Sequence, residues 1–222
     1  MEGFGFDLAV VEKRCRACPD KSDPDWACMS STGFLAPSES LVQVLQHDAD
    51  ALSRVLHSAK QVAKELRELL ALLTRGEEEQ TLHWRGRVWH VKRTWFVAEQ
   101  FSPFREQGGK HGEGWSEEWK LRSQDGLNMV LTRGVVDMIE DFGFFEGGLD
   151  GSNRYRIDPD VAVAAISGSP LSKEGQEYLQ QRKAFKAAKK QQARQELIEA
   201  MQTRMHEPGA KEFLEYQLKK LA

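Results

Sequence analysis

Six cations and no acid fall between Gln180 and Gln195: Arg182, Lys183, Lys186, Lys189, Lys190 and Arg194. A helical run of this kind can follow a phosphate backbone, because each neutralised phosphate releases condensed counterions. A solvated helix whose charge balances acids elsewhere has the same composition. On a helix these side chains spread over several faces. The glutamines among them, Gln180, Gln181, Gln191, Gln192 and Gln195, suit either role.

A second chemistry is offered by sulfur. Cys15-x-x-Cys18 followed by Cys28 supplies three zinc-type ligands, the first two at a spacing that lets thiolates grip one metal from a tight turn. A fourth ligand is not near; His47 and His57 are the closest histidines. A structural zinc and three reduced thiols in a loose tail are the two readings. His83 and His90 can share one face of a hairpin, but two ligands do not make a site. Trp84, Trp89, Trp95, Trp115 and Trp119 could stack on bases, although an alternating stripe of this kind ordinarily fills a core. No phosphate-binding loop, nucleophile elbow, HExxH or strand-preceded GxGxxG occurs, so no enzyme is expected and no cofactor beyond a structural zinc.

Composition sets outer bounds. The 222 residues are 40% hydrophobic and 29% charged, enough apolar material for a packed core. The net charge of −3 decides nothing about nucleic acid, so only local charge can. No run of 18 apolar residues predicts a membrane span. Glu2 and Asp7 stand where a secretory leader would be basic. Three cysteines make no disulfide framework, so the expected location is cytoplasmic.

Four segments position these residues. Residues 1–37 read as a flexible or Cys-containing tail. Residues 38–76 read as one long helix: Ser38 caps it, and Leu41, Leu45, Asp48, Leu52, Val55, Ala59, Val62, Leu66, Leu69 and Leu73 form a heptad seam broken only by Asp48. At 1.5 Å per residue it would be roughly 50 Å long and would want a partner helix, its own C-terminal helix or a second copy of the chain. Residues 81–167 open with a hairpin turning at Arg85-Gly86. It has Leu82, Trp84, Trp89, Val91 and Trp95 on one face and His83, Val88, His90, Lys92 and Thr94 on the other. Helices over Trp115–Arg122 and Leu127–Phe142 follow, the latter stopped at Gly143. Phe144-Phe145 would then pair with Tyr155-Arg156-Ile157 across a Gly-rich tip, and Asp158-Pro159 would start another helix. Residues 170–222 read as a basic helical extension, helical from Ser172 to about Met205 and again from Lys211 to Leu221. The fold expected is mostly α with a small β component: a coiled-coil-type helix, a small α+β core and long C-terminal helices.

The run Thr132-Arg133-Gly134-Val135-Val136 to Phe142-Gly143-Phe144, a tip from Gly147 to Asn153 and a return through Arg154-Tyr155-Arg156-Ile157 resemble the second half of a winged-helix domain. The resemblance covers Trp115 to Ile166, and helices flanking that core resemble the arrangement in MarR-like regulators. It implies a recognition helix that presents Thr132 and Arg133 to the major groove, with Asn128 one turn earlier. It also implies wing contacts from Arg154 and Arg156 and support from Lys120 and Arg122 on the preceding helix. Asp137, Glu140, Asp141, Glu146 and Asp150 oppose it, since an acidic surface repels phosphate. Two expectations result. One is a dimeric protein binding double-stranded DNA, in regulation, replication or plasmid and phage maintenance, self-associating through the Leu41–Leu73 helix. The other is a winged-helix and coiled-coil module that binds proteins.

Overall fold

The computed structural model describes residues 7–16, 33–73, 77–105, 109–153 and 155–204. Among them lie six helices and one antiparallel sheet: α1 Leu8–Cys15, α2 Leu41–Arg54, α3 Ala59–Leu73, β1 Glu79–Trp84, β2 Arg87–Gln100, β3 Trp115–Ser123, β4 Asn128–Leu131, α4 Arg133–Phe142, α5 Pro159–Ser167 and α6 Lys173–Arg204. The strands follow one another in the order β1-β2-β3-β4. The β component is thus a full four-stranded meander, and the chain is a mixed α and β protein. None of these helices is long and apolar enough to cross a membrane.

The long heptad helix is divided. α2 ends at Arg54, Leu56 takes a left-handed φ of 55°, and α3 starts three residues later. The start has a local cause: the Ser58 hydroxyl accepts from the Gln61 amide and the Gln61 side chain accepts from the Ser58 amide, a capping box. Ser40 and Gln43 make the same box at the start of α2. The seam nevertheless runs on, because both helices turn it inward. Leu41, Leu45, Asp48, Leu52, Val62, Leu66, Leu69 and Leu73 are all buried within this one chain. α3 packs along α4 and touches α5, and α2 packs on α1 and α5. The seam meets its partners intramolecularly, so no second copy is needed to cover it.

The sheet shows where helical periodicity misled. Trp115–Arg122 is strand β3, not a helix: Trp115, Trp119 and Leu121 are buried at period two, while Arg122 on the opposite face is exposed. Its turn into β4 is Asp125-Gly126, with Gly126 at φ 95°, a hairpin signal in the sequence. The helix expected from Leu127 therefore begins only at Arg133, where Thr132 caps it by accepting from the Val135 amide at 3.1 Å. Gly143 ends it at φ 66°, as expected. Phe144, Phe145 and Ile157 are buried in irregular backbone rather than paired as strands, so no wing hairpin forms among the described residues. The first hairpin does turn at Arg85-Gly86, with Leu82 opposite Trp89 and Thr81 opposite His90. α5 starts at Asp158-Pro159, with the Asp158 carboxylate accepting from Asp160 at 3.1 Å and Pro159 in the first turn.

One apolar core lies between the inner face of the sheet (Trp84, Trp89, Val91, Trp119, Leu121, Met129, Leu131) and helices α2 to α5. Gly134 marks the closest approach of the two layers, because a Cβ there would overlap the Trp115 indole. Asp48, the one polar residue of the seam, is fully buried and meets Arg156, itself fully buried, at 2.5 Å.

Candidate nucleic-acid interface

The outer face of the sheet carries the residues that alternate with that core. Strand register arranges them in two rows. Glu79, Lys92, Lys120 and Val130 lie side by side across β1 to β4, and Thr81, His90, Arg122 and Asn128 form the adjacent row. Neighbouring strands are about 4.8 Å apart, so each row spans roughly 14 Å. α6 closes one side with Arg182 and Lys186. Together these elements line a groove of about 850 Å³ that contains all eight row residues and both α6 cations.

Its electrostatics are lopsided. Lys92 and Lys120 are direct cross-strand neighbours, a like-charge pairing that ordinarily destabilises a sheet. Two carboxylates offset it. Glu79 pairs with Lys92 at the exposed edge, and buried Glu118 lies 3.0 Å from Lys120. The Lys92 hydrogen bond and charge hold the Glu79 carboxyl below its ordinary value, and Glu79 raises Lys92 in turn. Arg122 and His90 face each other across β2 and β3 and take no side-chain partner among the described residues. Glu79 is thus the one acid among the described residues that line the groove, and Glu118 is the buried partner of Lys120.

α6 extends the same surface. Its first half is anchored by Tyr178 and Arg182, both buried, and the Arg182 guanidinium donates to the Arg156 carbonyl at 3.3 Å. Gly151 packs against the Arg182 backbone, where any Cβ would collide. From Lys183 to Glu199 the side chains are exposed or half-buried. At 3.6 residues per turn, Arg182, Lys183, Lys186, Lys189, Lys190 and Arg194 occupy an arc of about 140°. They therefore form one stripe, not a scatter over several faces, and its Arg182 and Lys186 end borders the groove.

Of the residues expected to contact DNA, the fold brings Lys120, Arg122, Asn128, Arg182 and Lys186 together, with Lys183, Lys189 and Lys190 further along α6. Asn128 is exposed, and its amide donates to the Gly126 carbonyl at 2.9 Å. Three others lie elsewhere. Thr132 is buried and serves as the cap of α4. Arg133 pairs with Glu113 at 2.6 Å and lies 3.8 Å from Asp137. Arg156 is inside the protein, held by Asp48 and by the Glu146 carbonyl. α4 cannot enter a major groove by its first turns, since Gly134, Val135, Val136, Met138 and Ile139 are buried. Arg154 lies outside the described residues.

Of the three zinc-type ligands, Cys15 alone lies among the described residues. Cys15 is fully buried at the end of α1, and its carbonyl accepts from Phe34 and Leu35. Cys18 and Cys28 lie outside the described residues, and among those described no three His, Cys, Asp or Glu side chains converge on a metal position. Among the described tryptophans, Trp84, Trp89, Trp115 and Trp119 fill the core. Trp95 is the exception, exposed with the Arg93 guanidinium 4.2 Å over its ring. Sequence reasoning passed over Thr81, His90 and Lys92 as site residues, although the hairpin reading had already placed His90 and Lys92 on the outer face. What it lacked was β3 and β4, which set Lys120, Arg122 and Asn128 beside them.

The chain matches no known family, no curated protein and no solved structure.

Proposed function

We propose that this protein binds nucleic acid by gripping its phosphate backbone between the outer face of the sheet and α6. One observation carries this reading: Lys92, Lys120 and Arg122 from the sheet and Lys186 from α6 line a single groove, with Lys92 and Lys120 side by side in it. The exposed stripe of α6 lengthens the contact by about 16 Å from Lys183 to Arg194. Roles in regulation, replication or plasmid and phage maintenance would all draw on such contacts.

The test is fluorescence anisotropy of a labelled mixed-sequence oligonucleotide across a salt series, comparing the parent with Lys120→Ser/Arg122→Ser. Each lost phosphate contact should reduce the salt slope by about 0.7 to 0.9. The double variant should therefore bind more weakly at low salt, with a slope reduced by about 1.4 to 1.8. An unchanged affinity and slope would refute the groove as the contact surface.

Protein binding is the second reading, and Leu56 favours it. This leucine is 90% exposed and held at a φ of 55° in the α2–α3 turn, and left-handed backbone at a non-glycine residue clusters at functional positions. No oligonucleotide binding even at low salt would make this reading the leading one.

A further inference from the structure

We infer that the groove takes a single strand of nucleic acid rather than a duplex, with bases laid on His90 and Arg122; this rests on the reading proposed above. Shape is the first argument. Duplex is read by a convex element, a helix or a two-stranded ribbon, entering a major groove about 12 Å wide. The surface here is the reverse, a hollow with cations on both walls: Lys92, Lys120 and Arg122 from the sheet and exposed Lys186 from α6. A charged trough suits a flexible strand, whose backbone follows the cations while its bases turn inward.

The second argument is the row Thr81, His90, Arg122 and Asn128. Register places one of these on each strand, in line across the sheet. Imidazole and guanidinium planes are stacking surfaces for unpaired bases. His90 and Arg122 are direct neighbours, exposed, with no other side chain engaging them among the described residues. Thr81 and Asn128, at the two ends of the row, offer a hydroxyl and an amide to base edges that are accessible only when the bases are unpaired. Lys92 and Lys120 occupy the parallel row, two residues along each strand or about 7 Å away, where the phosphates of a strand crossing the sheet would fall. The α6 stripe adds point charges with no reading geometry.

Three labelled probes of one mixed sequence, about 16 nucleotides long, separate the outcomes: single-stranded DNA, single-stranded RNA and the DNA duplex. Each is titrated with the full chain and with the variants His90→Ala and Arg122→Lys, whose thermal midpoints confirm folding. Expected are single-strand binding at least about tenfold tighter than duplex, and losses of about 5- to 150-fold for single strands in either variant, the span of one base-stacking contact. Arg122→Lys keeps the charge, so its salt slope should stay that of the parent. Duplex binding as tight as single-strand binding, or single-strand affinity unmoved in both variants, overturns the inference while leaving the phosphate-binding reading in place. Binding of no probe overturns both. The ratio between the DNA and RNA strands tells which polynucleotide is the better ligand.

Discussion

Arg156→Met is predicted to lower stability sharply, because Arg156 is a structural cation of the core. Both Arg156 and Asp48 are fully excluded from solvent, and they meet at 2.5 Å. Burial alone would lower the guanidinium's pKa, but the charge and hydrogen bond of Asp48 outweigh it and hold Arg156 above its ordinary value. Removing it leaves the Asp48 carboxylate buried without its counter-charge and takes a donor from the Glu146 carbonyl. Breaking a buried pair from one side costs about 3–5 kcal/mol. At about 2–4 °C per kcal/mol for a chain of this size, the thermal midpoint should fall by roughly 6–20 °C. The double variant Asp48→Leu/Arg156→Met removes both charges, and replacing a buried pair by apolar groups of similar size is often near neutral. It should therefore be more stable than Arg156→Met alone, short of the parent by about 1–3 kcal/mol for the unpaired Glu146 carbonyl. The assay is urea and thermal unfolding of all four members of the cycle. If Arg156→Met unfolds at the parent's midpoint, or if the double variant is the least stable member, the account of Arg156 as a core anchor is wrong.

Leu66→Asp puts a charge at a fully buried position of the α3 seam. It should unfold the chain, by more than about 4 kcal/mol, rather than turn a folded dimer into a folded monomer. Size-exclusion mass together with circular dichroism separates the two, and a folded monomer would refute the intramolecular seam. Gly134→Ala drives a Cβ into the Trp115 ring at the α4–sheet contact and should cost about 1–3 kcal/mol; an unchanged urea midpoint would refute the close packing there. Burial pushes the Glu146 carboxyl up from 4.5 to about 8, against the lowering influence of Asn153 and Arg156. A carboxyl raised on folding gives its full stability below its unfolded value and loses it as pH climbs through the folded one. The parent should therefore weaken between about pH 5 and about pH 8, and Glu146→Gln should flatten that decline. Parallel urea midpoints for the two proteins across that window would show that Glu146 does not titrate as its burial requires.

Local chemistry was readable where one residue type has one use. Gly143, Pro159 and the Arg85-Gly86 turn each ended or started an element where expected, since a left-handed cap, a fixed φ and a two-residue hairpin admit few substitutes. The seam itself was legible but its partners were not: α1, α4 and α5 cover it, and Asp48, expected only as a break in it, meets Arg156. What misled was periodicity over short windows. Trp115 and Trp119 are four residues apart, which fits one helical turn as well as two strand repeats. Leu121 and the Asp125-Gly126 turn broke the tie for a strand. In the seam, apolar positions continued across Ser58 because α2 and α3 bury the same side, so only the Ser58–Gln61 capping box betrayed the break. The candidate site suffered most from the lost strands. A cross-strand row has no footprint in any single segment, and Thr81, His90, Arg122 and Asn128 become neighbours only once all four strands are paired.

The α4 acids that stood against DNA binding are engaged by cations of neighbouring elements. Asp137 and Glu140 pair with Arg67 of α3 at 2.9 and 2.5 Å, Asp141 with His111 at 2.8 Å, and Glu113 with Arg133 at 2.6 Å. All belong to α4 and its surroundings, which pack on the tryptophan face of the sheet. The cations of the groove lie on the opposite face. A β-strand sends alternate side chains to opposite sides, so the alternation that hides Trp119, Leu121 and Met129 also turns Lys120, Arg122 and Asn128 outward. The sheet thereby separates charge by face: a chain with a net charge of −3 pairs its α4 acids with cations on the helix side and gathers cations on the other. On the proposed reading, a phosphate approaching the groove meets mainly Glu79 and Glu118 as opposing charges. Glu79, at the exposed edge, is the one whose removal should raise affinity. Glu79→Gln tests this directly: it should tighten oligonucleotide binding at low salt and leave unfolding unchanged, and a weakened interaction would mean that Lys92 needs its partner to be held in place.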